Sequence, residues 1–365
     1  MNGFHEADTA ALDLSRETVT PSDDLASEDE LLKQLDAEPE WSDQETASEV
    51  ADRLFEQACT QYRTNQFDLA LGSFQQAQSL YSYCGQEREQ AIALGSVGLT
   101  CYSLMKYDQA IAYSLEALEI ANHLQDRHQT VRILSTLGNA YRHLKDQPKA
   151  IEYQRQSLAI AREIADQRSE MAALNNLGLA YKALGDHETA IQSEEQSLKI
   201  AQVLQDTQVE EQILKNLGNA YYALGNYSRA IEYYQQRLVL VQQTQDFRAQ
   251  GQTLRNLGNA YYALGDYGKT IDYSNQRLQV AQSLQDYRGE EQALGSMGVA
   301  HDALGNYAGA IDCYEKRLEI ARKIQDHRVE EQILGSLKVA YYALGDFARA
   351  AECSQQKRSL LQPTS

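Results

Sequence analysis

One spacing governs what this chain can fold into. The block Leu217-Gly-Asn-Ala-Tyr-Tyr-Ala-Leu-Gly-Asn-Tyr recurs as Leu257-Gly-Asn-Ala-Tyr-Tyr-Ala-Leu-Gly-Asp-Tyr, and a close variant begins at Leu177. Its glycine stands at Gly98, Gly138, Gly178, Gly218, Gly258 and Gly298, every 40 residues. The eighth copy has Lys338 there, and the first has Ala58. A regular repeat of this length excludes one compact core. Each copy is a small unit that packs on its neighbours, so the buried interior extends lengthwise.

Within a copy the apolar period is helical. Leu134, Leu137, Tyr141 and Leu144 form one stripe, and Ala230, Ile231, Tyr234 and Leu238 form another on a second helix. Gly185, Gly225 and Gly265 are positioned to end first helices in the left-handed conformation. Asp186, Asn226 and Asp266 follow as N-caps of second helices. Asp126, Asp166, Asp206, Asp246, Asp286 and Asp326 recur between copies and cap the next first helix. Pro148 falls in a first helical turn, where its missing N–H does no harm. Gly218 and Ala230 let the two helices of a copy approach, with Tyr221 and Tyr234 filling the space around them. The expected organisation is an acidic tail, residues 1–46, followed by eight helix pairs at 47–86, 87–126, 127–166, 167–206, 207–246, 247–286, 287–326 and 327–365.

The Leu-Gly-x-x-Tyr block, the alanine at Ala230 and the aromatic at Tyr234 resemble the tetratricopeptide repeat. The 40-residue length is similar to the longer-helix variants of kinesin light chains and of the Leu-Gly-Asn G-protein signalling modulators. The resemblance implies an all-α, right-handed α-solenoid whose concave wall is lined by the first helix of each pair.

Positions opposite the apolar stripe of the first helices would then face the groove. Arg132, Ser135, Asn139 and Arg142 lie there in the third repeat, and Ala172, Asn175, Leu179 and Lys182 in the fourth. The fifth offers Gln212, Lys215, Asn219 and Tyr222, and the sixth Gln252, Arg255, Asn259 and Tyr262. No Asp or Glu stands among these sixteen. Such a wall suits an acidic or C-terminal peptide segment. Cations form charge-assisted hydrogen bonds to carboxylates, amides bond an extended backbone, and tyrosines add flat apolar area. The same stripe also reads as an ordinary solvated face. Arg237, Arg277 and Arg317 form a second series on the second helices. They either reach the groove floor or bridge neighbouring repeats.

The net charge of −19 argues against nucleic acid, since phosphate backbones repel such a chain. Residues 1–46 hold 14 Asp and Glu against Arg16 and Lys33, a composition that stays disordered. Leu25 to Trp41 allows a short amphipathic helix, and the tail is either solubilising or folds back on the basic groove. No segment reads as a signal peptide or a membrane span, which makes the cytoplasm the expected location. The cysteines Cys59, Cys84, Cys101, Cys313 and Cys353 show no metal or redox spacing and read as reduced thiols. Paired acids such as Glu210-Glu211 and Glu330-Glu331 read as first-turn residues that favour the helix dipole. No catalytic motif is present, and neither an enzyme nor a cofactor is expected. The expected function is a protein-binding scaffold or adaptor. The alternatives are a peptide-sensing regulatory receptor and an assembly chaperone for a membrane complex. Lys338 and the uncovered eighth pair would permit self-association there.

Overall fold

The computed structural model describes residues 44–361. The expectations for the acidic tail, including its Leu25–Trp41 helix, lie outside the described residues. The described residues form sixteen α-helices and no strand. They divide into two units at Leu204 and Gln205. Unit 1 contains α1 (Gln44–Arg63), α2 (Phe67–Tyr83), α3 (Glu87–Ser103), α4 (Tyr107–His123), α5 (Arg127–His143), α6 (Gln147–Glu163), α7 (Gln167–Leu184) and α8 (His187–Leu204). Unit 2 contains α9 (Thr207–Ala223), α10 (Tyr227–Gln243), α11 (Phe247–Ala263), α12 (Tyr267–Ser283), α13 (Tyr287–Ala303), α14 (Tyr307–Lys323), α15 (His327–Ala343) and α16 (Phe347–Leu361). Helix α1 starts at Gln44, a little ahead of the boundary expected at residue 47.

Local chemistry sets the helix ends. The Asp126 carboxylate accepts from the Gln129 N–H at 3.1 Å, and Asp166, Asp206, Asp246, Asp286 and Asp326 cap their helices in the same way. Asn226 and Asp266 cap α10 and α12. Gly185, Gly225 and Gly265 take positive φ, as expected. Non-glycine residues also occupy the left-handed region, and most come at the ends of second helices: Gln125, Ala165, Gln205, Gln245, Gln285 and Gln325. The backbone bond from the following Asp N–H back into the helix, as in Asp166 to the Ala161 carbonyl at 2.9 Å, closes this turn whatever side chain is present.

Inside each unit, consecutive helices pack antiparallel around buried Leu, Ala and Tyr. One cluster joins Leu94, Ile133 and Leu137; another joins Tyr234, Leu257 and Tyr261. The two helices of a pair approach most closely at the repeated glycine. A Cβ at Gly98 would lie 2.5 Å from the Ser114 hydroxyl, and one at Gly138 would lie 2.5 Å from the Gln154 amide. One at Gly178 would lie 2.6 Å from Glu194 Cγ, and one at Gly218 would collide with the Tyr234 ring. In each of the six glycine-bearing pairs the residue sixteen positions after the glycine faces it. Lys338, which stands at the glycine position of α15, is exposed. First helices also touch across the intervening second helix: α3 on α5 and α5 on α7 in unit 1, and α11 on α13 in unit 2.

Two substitutions probe this arrangement. Tyr234 is buried and its hydroxyl is committed to Asn219, so it cannot retreat, and Gly218→Ala should destabilise by roughly 1–3 kcal/mol. Gly258→Ala, facing Ser274 at 3.4 Å, should be far milder; equal costs in denaturant titrations would contradict the packing. Ala165→Gly should raise stability by about 1 kcal/mol, because φ of 55° crowds the Ala165 Cβ and gains nothing from it.

Candidate functional site

The candidate surface is the polar stripe of the first helices, and it belongs to each unit separately. In unit 1, α5 carries Arg132, Asn139 and Arg142. Arg132 is half-buried, and loss of hydration pushes its guanidinium below the usual value, against the pull of Cys59 and Asp126. Asn139 is buried, and its Oδ1 accepts from Gln154 at 3.5 Å. Arg142 places one terminal nitrogen 3.3 Å from His143 Nε2, while its buried Nε has no partner. The His143 ring stacks on Tyr107 at 4.8 Å, and burial, then Arg142, pushes its pKa down. On α7, Asn175 and Lys182 are half-buried, and the Asn175 Oδ1 is buried without a partner.

In unit 2, α9 presents Lys215, Asn219 and Tyr222. Lys215 donates to Gln212 at 2.7 Å, and Asn219 accepts from the Tyr234 hydroxyl at 2.8 Å. Tyr222 is exposed and lies edge-on to Tyr227 at 5.2 Å. On α11, Arg255, Asn259 and Tyr262 are all exposed on one face, with Tyr262 edge-on to Tyr267. Thus four of the eleven candidates, Asn139, Arg142, Lys215 and Asn219, already bond to protein groups, and the α11 trio stands most open.

The second helices contribute more than the stripe pattern suggests. The gap-filling residue reaches the stripe itself: Gln154 bonds Asn139, Tyr234 bonds Asn219, and the Tyr314 hydroxyl bonds Asp302 at 2.6 Å. In α8 this residue is Glu194, 1% exposed, with neither carboxylate oxygen hydrogen-bonded. Burial pushes its pKa up to about 7, and Lys182 pulls the other way. The sixteen stripe positions of the third to sixth pairs, free of Asp and Glu, therefore have a carboxyl beside them. Recurrence of position 194 at sixteen residues past each glycine was the available signal.

The arginine series also resolves. Arg237 is 2% exposed, donates to Glu211 at 2.7 and 3.1 Å, and reaches Thr253 of α11 at 2.8 Å. Arg317 donates to Glu291 at 2.7 Å, and Lys357 pairs with Glu331 at 3.2 Å. Arg277 donates to Gln292 at 2.6 Å. Arg237 and Arg277 bridge neighbouring pairs, and Arg317 stays within its own. Glu210 and Glu330 stand in first turns, as the dipole reading had it, whereas Glu211 and Glu331 lie just past them and are ion-pair partners, which corrects that reading for the second acid of each pair. Glu330 is likewise paired, with Arg322 at 2.7 Å. Four of the five cysteines are buried; Cys84 is half-buried. Among the described residues, no group of His, Cys, Asp and Glu is placed to hold a metal ion, and no helix is long and apolar enough to cross a membrane.

Comparison with known proteins agrees with this geometry. The sequence matches the tetratricopeptide repeat family over residues 89–163, 169–243 and 249–323. No curated protein matches it. Among solved structures, a signal-transduction ATPase with numerous domains and a tetratricopeptide repeat sensor, from Pyrococcus horikoshii, is similar at TM-score 0.59 and 19% identity. That match covers 87% of this chain and 48% of the archaeal protein, so the chain spans about half its length. The apo quorum sensor NprR from B. thuringiensis matches at TM-score 0.53 and 14% identity over 92% of each chain. A Rap protein complexed with competence and sporulation factor matches at TM-score 0.50 and 20% identity over 75% of each. At these identities the likeness is one of fold.

Glu194 makes a pH prediction. Its folded pKa lies above the unfolded value of 4.5, so between pH 4.5 and 7 the folded state holds more protons and stability falls as pH rises. The loss should reach about 3 kcal/mol above pH 7. Glu194→Gln, which puts in α8 the residue that α6 has at Gln154, should remove that slope. Parallel pH profiles of the two proteins would show Glu194 to be solvated.

Proposed function

This chain belongs to the tetratricopeptide repeat family, and we propose that it is a non-enzymatic adaptor whose first-helix faces hold an extended, acidic segment of a partner protein. Arrays of this fold suit protein–protein interaction because they present long rows of side chains on a rigid frame. The observation that carries the reading is the face of α11, where Arg255, Asn259 and Tyr262 stand exposed side by side with no carboxylate among them. In a chain of charge −19, a solvated face assembled without selection for a ligand would include acids. Lys182, Lys215 and Arg132 extend the cationic character along the other first helices. Asn175, Asn219 and Asn259 supply amides for a ligand backbone.

A second reading, a peptide-sensing receptor, is supported by the likeness over 92% of both chains to a protein titled a quorum sensor, and by the Rap protein solved with its factor. Both readings place a peptide on the same faces. They differ in whether binding changes the fold. Small-angle scattering with and without peptide separates them, since an adaptor changes little.

The test is a display of random dodecapeptides selected on wild type and on the Lys215→Glu/Arg255→Glu variant. Wild type should enrich Asp and Glu, with affinity falling as salt rises, and the variant should lose that enrichment. Enrichment of basic or purely apolar sequences by wild type would sink the acidic-ligand reading.

A further inference from the structure

Second-helix cations of unit 2 follow a rule with one exception. A carboxylate lies 26 residues before Arg237, Arg317 and Lys357, at Glu211, Glu291 and Glu331, and each pairs with its cation. The residue 26 before Arg277 is Gly251. Arg277 is only 9% exposed, yet among the described residues no carboxylate forms an ion pair with it. Among the described residues, it donates to the neutral amide of Gln292. Loss of hydration and the like charge of Arg255 both press its pKa down, against weaker pulls from Asp286 and Glu291.

The missing side chain leaves room. A Cβ at Gly251 would meet nothing nearer than Val280 at 3.8 Å. Around it lies a hollow of about 480 Å³ between α11, α12 and α13, lined by Arg248, Arg255, Arg277 and Gln292 among others. Arg248 and Arg255 are exposed at its mouth and Arg277 is at its buried side. Asp286, also in the lining, is committed to the Gly289 N–H at 2.9 Å. A buried guanidinium held beside a second one is unfavourable unless an anion is near. Of the four arginines lining the hollow, Arg288 already pairs with Asp326 at 2.6 Å, and the forked donors of the other three suit a carboxylate.

We propose that this hollow receives an Asp or Glu side chain of the partner segment, whose carboxylate takes the position that Glu211, Glu291 and Glu331 hold in the neighbouring pairs. This rests on the acidic-segment reading and assigns its anchor point. Arg277 and Arg255 grip the carboxylate, and Gln252 and Gln292 flank it.

The experiment compares wild type, Gly251→Glu, Arg277→Gln and Gln236→Glu, using acetylated and amidated hexaglutamate as the probe, which carries side-chain carboxylates only. Gly251→Glu supplies the carboxylate in cis, so it should melt a few degrees higher and bind the probe roughly tenfold more weakly. Arg277→Gln, with helix content checked by circular dichroism, should also bind weakly. Gln236→Glu adds the same charge at an exposed site outside the hollow and should bind like wild type. A Gly251→Glu protein that melts no higher, or that binds hexaglutamate as tightly as wild type, overturns the anchor while leaving the groove reading intact. Failure of wild type to bind hexaglutamate overturns the groove reading itself. Binding of inorganic phosphate, in place of hexaglutamate, at the same residues overturns the carboxylate assignment.

Discussion

Six of the eight helix pairs close where one residue has no side chain. The glycine at Gly98, Gly138, Gly178, Gly218, Gly258 or Gly298 lets a residue of the second helix cross the first helix at contact distance. Packing at protein density leaves no slack for a methyl group at most of these points. The crossing residue is Ser114, Gln154, Glu194, Tyr234, Ser274 or Tyr314, and its size varies widely. Those long enough carry a polar tip onto the stripe of the first helix. The contact that holds a pair together therefore also sets part of the chemistry of the wall it presents.

The two units solve the next contact differently. In unit 1 the second helices place Ser157 and Ser197 against first helices, and their hydroxyls bond the Val131 and Met171 carbonyls at 3.2 and 2.8 Å. In unit 2 the same place holds Arg237, Arg277, Arg317 and Lys357, joined by charge to first-helix acids except at Gly251. Buried ion pairs gain little net stability after desolvation, but each requires its partner at a fixed position. Substituting one member of the Arg237 or Arg317 pair leaves the other charged and largely shielded from water. That asymmetry separates Arg237, whose charge is met within the protein, from Arg277, on which the proposed anchor rests, although the two occupy equivalent positions in their repeats.

The turns show how local and non-local causes divide. Asp caps were legible because an Asp ahead of an apolar period has one favourable use, accepting the N–H three residues on. The left-handed residue before each of them was not, since Gln and Ala prefer other conformations. Their φ values are imposed by the backbone bonds that reverse the chain between packed helices.

The 40-residue period by itself determined the all-α repeat architecture, the helix boundaries to within a few residues, and which first-helix positions lie opposite the apolar stripe, because these depend only on spacing along one helix. It could not decide how open those positions are. Asn139 is buried against Gln154, whereas its equivalent Asn259 is exposed, and the difference comes from the crossing residue of the partner helix: long at Gln154, short at Ser274. The isolation of Glu194 and the hollow beside Gly251 were likewise settled by tertiary structure. Both arise from the apposition of helices far apart in sequence, where a side chain's partners are chosen by distance in space.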